Sequence, residues 1–191
     1  STKPYGFMPF YPGPGIGGHC IPLDPYYMSY KAKKYEFIPR FIETSGEINE
    51  FMKMHVVNLA DKGLRTINKT IYGAKIAVMG LAYKKNIRDT RESPAIDIID
   101  ELVNLGAEVR VYDPNVPSIT TKRGRFISVD DLDEALSSMD CAIFLVDHDE
   151  FRAISMNKVK ELMAHPVIVD AKNIFSNGSD VVYLGLGKGK C

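Results

Sequence analysis

Lys75-Ile76-Ala77-Val78-Met79-Gly80-Leu81 is an apolar run behind a single lysine. After a polar gap come Ser93 to Leu105, with helical spacing, and then Glu108-Val109-Arg110-Val111-Tyr112. Short continuous apolar runs read as strands buried on both faces, and strand, helix, strand in succession reads as a crossover unit of a parallel sheet. The alternation continues with a helical stretch from Val129 to Ser137, a strand from Cys141 to Val146, a helix from Met156 to Met163, and strands over Pro166–Asp170 and Val181–Leu184. The expected fold is α/β: a Rossmann-like, doubly wound parallel sheet with helices on both faces.

Upstream of this region the period changes. Phe41, Ile42, Ile48, Phe51, Met52, His55, Val56, Leu59, Ala60, Leu64 and Ile67 recur at helical spacing behind Pro39. The spacing predicts one long connecting helix from Arg40 to Thr66, with Gly46 tolerated inside it. A helix of that length between two differently composed regions suits a connector or a dimer spine, with a plain core helix as the alternative. Asp24 and Pro25 read as N-cap and first residue of a shorter helix ending near Lys34. The chain therefore divides into a loop-and-helix segment, 1–70, and an α/β domain, 71–191.

The 191 residues suffice for a real core, in one domain or two small ones. No apolar stretch approaches the ~20 residues of a membrane span. Ser1-Thr2-Lys3-Pro4-Tyr5 lacks the features of a signal peptide, and the start is abrupt, as if cut from a longer protein. Lysine plus arginine total 24 and aspartate plus glutamate total 24, so no net field attracts nucleic acid or an anionic membrane. An anionic ligand has to be held locally. Cys20, Cys141 and Cys191 are too few and too scattered for a disulfide framework, which points to a reducing compartment, the cytoplasm. Among Cys20, His19, His55 and Cys141 no pair has zinc-ligand spacing, so no metal is expected.

The segment from Pro4 to Pro25 is crowded with Pro, Gly and aromatic residues and reads as an ordered loop. Within it Gly13-Pro14-Gly15-Ile16-Gly17-Gly18 matches G-x-G-x-x-G letter for letter. The context refuses a dinucleotide fingerprint, because Pro9 and Pro12 interrupt any preceding strand and His19-Cys20-Ile21-Pro22 blocks a following helix. What the glycines offer is backbone that approaches a ligand closely, beside a thiol. Those amides suit a stabilised thiolate at Cys20 and an oxyanion formed when it attacks a carbonyl. The plain alternative is a structural loop in which Cys20 is a small buried hydrophobe.

GPGIGGHCIPLD, Gly13 to Asp24, closely resembles the cysteine loop of the UDP-glucose/GDP-mannose dehydrogenase family, in the form of its UDP-N-acetylhexosamine branch. GLAYKKNIRDTRESP, Gly80 to Pro94, resembles the C-terminal signature of the same family. The resemblance covers essentially the whole chain, from the end of the family's central domain through its C-terminal, UDP-sugar-binding domain. It implies oxidation of the C6 alcohol of a nucleotide sugar to a carboxylate with two NAD molecules. Cys20 would add to the intermediate aldehyde, giving a thiohemiacetal and then a thioester that water releases. Asp24 matches an aspartate that orients water or a partner lysine. Phe10, Tyr11, Gly13, Gly15 and Gly17 fall where the family lines sugar and nucleotide. Lys84 matches a lysine that reaches the nucleotide sugar, Lys172 sits near a family arginine on substrate, and Arg91 matches a cofactor contact.

By the same resemblance the family's NAD-binding domain is absent here, as are an upstream lysine and asparagine that assist catalysis. The chain alone is therefore not expected to turn over substrate. The family's dimer is built on its central helix, so a homodimer through Arg40 to Thr66 is expected. His19, adjacent to Cys20, need not point at it and is read as a structural or substrate contact. The His-Cys-Ile-Pro form resembles enzymes of UDP-N-acetylglucosamine or UDP-N-acetylmannosamine and leaves the epimer open. Two rival readings stand beside this one: a non-catalytic UDP-sugar-binding and dimerisation module, and a cysteine hydrolase or transferase using Cys20 and His19.

Overall fold

The computed structural model of the chain describes residues 6, 9–175 and 181–188. Ser1–Tyr5 and Cys191, both used in the sequence reading, lie outside the described residues. Two helices lead, α1 (Asp24–Lys33) and α2 (Arg40–Arg65), the second matching the expected long helix with Thr66 as its C-cap. There follow β1 (Lys75–Met79), α3 (Pro94–Asn104), β2 (Glu108–Tyr112), β3 (Ser118–Thr121), β4 (Gly124–Ile127), α4 (Leu132–Leu136), β5 (Cys141–Phe144), α5 (Asp149–Arg152), α6 (Met156–Leu162), β6 (Val167–Asp170) and β7 (Val182–Gly185).

Five strands form one parallel sheet in the order β2-β1-β5-β6-β7. Alternate residues serve opposite faces, as strand geometry requires. Ile76, Val78, Cys141, Ile143, Val167 and Val169 meet α2 and α3, whereas Ala77, Met79, Ala142, Phe144 and Ile168 meet α4, α5 and α6. The sheet is therefore doubly wound, as the alternation predicts. Burial pushes the Cys141 thiol pKa up, with the charge of neighbouring Asp140 acting in the same direction; this cysteine belongs to the core.

The long helix does two jobs along its length. Its second half buries Val56, Val57, Ala60 and Leu64 against the sheet and packs on α3, β5, β6 and β7. It thereby covers the stretch of that face which α3 leaves bare. Its first half carries Phe41, 92% exposed, with Ile48 and Phe51 also exposed. Two glycines set its approaches. A Cβ on Gly63 would come within 2.5 Å of Val167 Cγ1 and 2.8 Å of Leu184 Cδ1. A Cβ on Gly46 would meet the hydroxyl of Tyr26 on α1, the far end of a half-exposed side chain.

At the amino edge of the sheet a buried carboxylate ties three elements together. Asp140 accepts from Lys69 Nζ at 2.6 Å, from Lys75 N at 3.0 Å, and bonds His165 Nδ1 at 2.9 Å. Burial alone would raise its pKa; the hydrogen bonds from Lys69, Lys75 and His165 outweigh that and hold it low.

Two expectations need correction, and two elements were unforeseen. Asp24 is not the N-cap of α1: the chain already winds at Leu23, the Cys20 carbonyl accepts from Leu23 N at 3.0 Å and Asp24 N at 2.8 Å, and no side chain caps the helix. The helix expected from Val129 shrinks to Leu132–Leu136, because Ser128 bridges Val111, Val129 N donates to the Val111 carbonyl, and Asp131 caps the turn. The antiparallel hairpin β3–β4 and the four-residue α5 were not anticipated.

The contrast between the two helix glycines is testable. Alanine gains ~1 kcal/mol of helix propensity over glycine, whereas overpacking a core costs about 1–3 kcal/mol. Gly63→Ala is expected to lower stability by about 1–2 kcal/mol, and Gly46→Ala to leave it unchanged or raise it, by urea unfolding at pH 7. Equal shifts in both variants would contradict this packing.

Candidate functional site

Sheet order reverses between β1 and β5, so the connections leaving their carboxyl ends turn to opposite faces of the sheet and leave a crevice of the kind where α/β folds hold ligands. Four connections rim this edge: 80–93 after β1, 113–117 after β2, 145–148 after β5 and 171–175 after β6. The glycine-rich loop rests against two of them, 80–93 and 171–175. Gly18 N donates to the Arg91 carbonyl at 2.9 Å, and Ile16 N donates to Asn49 Oδ1 on α2 at 2.8 Å. A Cβ on Gly17 would stand 2.5 Å from Tyr83 Cβ and 2.8 Å from the Glu92 carbonyl oxygen, so only glycine lets the two loops touch there. Among the described residues no strand leads into this loop and no helix follows until α1, which agrees with rejecting a dinucleotide fingerprint.

The structure brings several of the singled-out residues to this edge. Lys172 Nζ lies 3.1 Å from where a Gly13 Cβ would be, and Gly15 faces Pro94 at the start of α3 and the stem of Lys53. Lys53 itself joins Glu50 to Asp97 at 2.6 and 2.7 Å, tying α2 to α3 beneath the loop. Cys20 and Asp24 occupy one turn, both exposed. Cys20 and His19 lie within electrostatic reach of Arg91 and Asp89 respectively, which sets this turn beside the 89–91 segment. Phe10 and Tyr11 are exposed, at 75% and 80%.

The charge run 84–91 resolves into paired and unpaired members. Lys85 joins Asp149 at 2.6 Å. Arg91 grips Asp89 through Nε and Nη2, the latter at 2.6 Å, and that hydrogen bonding raises the Arg91 pKa and lowers that of Asp89. Among the described residues Lys84 has no ion-pair partner, which leaves its ammonium available to an anion.

Four residues that shape this edge escaped sequence reasoning. Tyr83 underlies Gly17 and Gly18. Asp170, fully buried, accepts from Lys172 N at 3.1 Å, Phe175 N at 2.9 Å and the Tyr183 hydroxyl at 2.8 Å, and so fixes the turn bearing Lys172. Asp113 accepts four backbone amides, from Leu81, Ala82, Asn115 and Val116, and meets His148 Nε2 at 3.1 Å. Burial alone would raise the Asp113 pKa, but the hydrogen bond from His148 and those from the amides hold it below the ordinary carboxylate range. An aspartate ending a strand and followed by proline was the available signal for Asp113.

Two cavities flank the edge. One of about 340 Å3 lies between the cysteine loop, α1 and α2, bordered by Ile16, Ile21, Pro22, Tyr26, Phe41 and Ile42; it is apolar and offers no cation. The other, about 400 Å3, sets Asp113, Asp130 and Glu150 against Arg88 alone, an acidic balance that disfavours a diphosphate. The groups suited to an anion are Lys84 and Lys172, at the rim of the crevice and under the glycine backbone.

A doubly wound sheet with a cysteine-bearing glycine loop at its carboxyl edge defines an α/β protein whose candidate site sets an exposed thiol beside a rim that carries Lys84 and Lys172. Residues 77–177 match the UDP binding domain, and residues 1–51 the central domain, of the UDP-glucose/GDP-mannose dehydrogenase family. The chain belongs to the UDP-glucose/GDP-mannose dehydrogenase family. It is 35% identical over 186 residues to the UDP-N-acetyl-D-mannosamine dehydrogenase of Methanocaldococcus jannaschii, covering 93% of this chain and 40% of that protein. It is 35% identical over 182 residues to the UDP-glucose 6-dehydrogenase TuaD of Bacillus subtilis, covering 92% and 39%. The solved UDP-D-ManNAc dehydrogenase of Pyrococcus horikoshii superposes with a TM-score of 0.82 at 33% identity, over 93% of this chain and 40% of that one. The chain thus spans about 40% of the length of these relatives.

Gly17→Ala is expected to lift the cysteine loop from the edge and speed amide exchange at Gly18 by about fivefold or more, the loss of one net hydrogen bond; an unchanged rate would contradict the contact. Asp113 carries a pH dependence of definite sign. Its folded pKa lies below the unfolded value of ~3.9, so its stabilisation is complete above that value and is lost as pH falls through the folded one. Asp113→Asn should unfold at lower urea than the unaltered chain at pH 7, with the gap narrowing toward pH 3.

Proposed function

We propose that this chain carries the cysteine nucleophile and the UDP-sugar-binding part of an NAD-dependent 6-dehydrogenase acting on a UDP-N-acetylhexosamine. The observation that carries the reading is the glycine loop resting on the carboxyl edge, with Cys20 exposed and Lys84, unpaired among the described residues, on the loop it touches. Residues 1–70 form the cysteine loop and helical segment and 71–191 the nucleotide-sugar domain, with the second half of α2 packed into the core of the latter.

In this reading Lys84 and Lys172 hold the diphosphate as point charges, while the backbone of Gly13, Gly15 and Gly17, with Phe10 and Tyr11, lines nucleotide and sugar. The Cys20 thiolate attacks the C6 aldehyde, forming a carbon–sulfur bond as the carbonyl π electrons move to oxygen, where loop amides stabilise the charge. Once the thiohemiacetal carbon has given up a hydride, which NAD would accept, water adds to the resulting thioester carbonyl, the carbon–sulfur bond breaks, and the thiolate returns with the carboxylate released. Asp24, on the same turn, orients that water.

NAD is the oxidant this family reading implies, and the described residues do not build a cradle for it. The glycine loop lacks the flanking strand and helix, and Asp113, at the end of β2 where a dinucleotide fold presents a carboxylate to ribose, is saturated by four amides and His148. Arg91 is the one cofactor contact proposed, and the described residues supply the carbon–sulfur chemistry. The exposed row of Phe41, Ile48 and Phe51 supports a homodimer through α2, and the free thiol of Cys20 suits the reducing cytoplasm. Among the described residues no helix is long and apolar enough to cross a membrane.

The test is calorimetric titration with UDP-N-acetylmannosamine, UDP-N-acetylglucosamine and UDP-glucose, joined to mass spectrometry with the corresponding C6 aldehydes. Binding is expected to weaken by about tenfold or more in Lys84→Ala, the loss of one charge-assisted bond. A covalent adduct is expected at Cys20 and absent in Cys20→Ala. Nucleotide binding without an adduct would favour the non-catalytic module, and no binding of any of the three would overturn the proposal. A strict monomer by sedimentation at high concentration would remove the dimer.

A further inference from the structure

The loop that carries Lys84 has no secondary structure of its own between β1 and α3, yet its backbone is bracketed around that residue. On one side Leu81 N and Ala82 N donate to Asp113 Oδ2 at 2.7 and 2.9 Å. On the other Asn86 N donates to His148 Nδ1 at 3.0 Å. The bracket closes because His148 Nε2 meets the same Asp113 oxygen at 3.1 Å. Since Nδ1 accepts from Asn86, the ring proton sits on Nε2 and is donated to the carboxylate. Both side chains are fully buried, and the His148 ring stands edge-on to Phe151 at 5.3 Å between centroids.

Asn86 is held a second time. Its side chain donates to Asp149 Oδ2 at 2.6 Å and accepts from Asp149 N at 3.2 Å, and its own φ of 57° lies in the left-handed region. The connections after β1, β2 and β5 are thus locked to one another at the reversal of strand order. Replacing a buried polar pair by apolar groups of the same volume is often neutral or stabilising, so what such a pair supplies is geometry rather than net stability. Here that geometry is the path of residues 81–86. A lysine ammonium on a flexible stem acts as a point charge, so its reach to an anion depends on a fixed backbone.

We infer that His148, bridging Asp113 to Asn86, is a positioning residue that holds Lys84 toward the diphosphate of a bound nucleotide. The inference rests on the reading of Lys84 given under Proposed function. His148 touches neither substrate nor reacting atoms.

The experiment titrates UDP into the 191-residue chain and its variants by calorimetry, at a temperature where circular dichroism finds each one folded. His148→Phe keeps a ring of similar size and removes the hydrogen bonds to Asp113 and Asn86 together with the longer one, 3.4 Å, between Nδ1 and Asn115 Nδ2. His148→Asn keeps an acceptor near the Nδ1 position for Asn86. Val159→Ala makes a core defect in α6, on the same face of the sheet and away from the loop. UDP affinity is expected to fall about tenfold in His148→Phe, to return within about threefold of the unaltered chain in His148→Asn, and to be unchanged in Val159→Ala. Adding Lys84→Ala to His148→Phe is expected to cost little more, since both remove the same contact. Amide exchange at Asn86 should speed about tenfold in His148→Phe with the β1 amides unaltered. Should the phenylalanine variant fail to fold, His148→Gln, which keeps the donor to Asp113 and loses the Asn86 acceptor, is expected to show the same tenfold loss. Unaltered affinity in the folded variant lacking the Asn86 acceptor, an equal loss in Val159→Ala, or additive effects with Lys84→Ala would overturn the inference. Failure of the unaltered chain to bind UDP would instead overturn the nucleotide reading of Lys84, and the positioning role with it.

Discussion

Two atoms already stand where a side chain at position 17 would begin: Tyr83 Cβ and the Glu92 carbonyl oxygen, 2.5 and 2.8 Å from the site of an added Cβ. That steric fact joins a loop that would otherwise lie free to the edge of a sheet whose first strand starts nearly sixty residues later. With the loops in contact, Gly18 reaches the Arg91 carbonyl, Gly13 comes over the Lys172 ammonium, and the turn bearing Cys20 is delivered to the rim that carries Lys84. The glycines are thus a packing requirement first, and the exposed backbone they leave is what a ligand would meet.

The sheet beneath supplies the rigidity this contact needs. Hydrophobic residues alternate between two buried faces, and the long helix covers the stretch of one face that lies beyond α3. Buried carboxylates work at both ends of the strands. Asp140 at the amino edge collects Lys69, Lys75 and His165, far from any candidate chemistry. Asp113 and Asp170 at the carboxyl edge collect backbone amides from the loops that bear Lys84 and Lys172. Asp140 and Asp113 exchange water for several donors, which is why burial does not force them neutral. Strand-end aspartates therefore act as anchors: Lys84 follows two residues after the anchored Ala82 amide, and Lys172 is anchored through its own amide.

Sequence patterning reached the architecture because long-period signals are local. β2 matched residue for residue, the long helix to within one residue, and the doubly wound sheet followed from the alternation. The hairpin β3–β4 was missed because Ser118-Ile119-Thr120-Thr121 has too few apolar residues to declare a strand, and its turn, Lys122-Arg123, lacks the usual turn signature. The helix from Val129 was overdrawn because Ser128 and Val129 are taken by the edge of β2. Cys20 and Lys84 were legible as motif residues. His148 was not, since its partners at 113 and 86 lie 35 and 62 residues away and meet only through the order of strands in the sheet. The pairing of Arg91 with Asp89 was likewise hidden in a run of charges that reads as uniformly solvated.

The account turns on one geometry, the delivery of the Cys20 sulfur to the terminal carbon of a sugar whose diphosphate rests on Lys84. The most direct measurement is a crystal structure of the chain soaked with a UDP-N-acetylhexosamine. The account expects the diphosphate within hydrogen-bonding distance of the Lys84 and Lys172 ammonium groups, and the sugar C6 in van der Waals reach of the Cys20 sulfur, at roughly 3–4 Å. A nucleotide seated at the amino edge beside Asp140, or a C6 facing away from the cysteine loop, would contradict it.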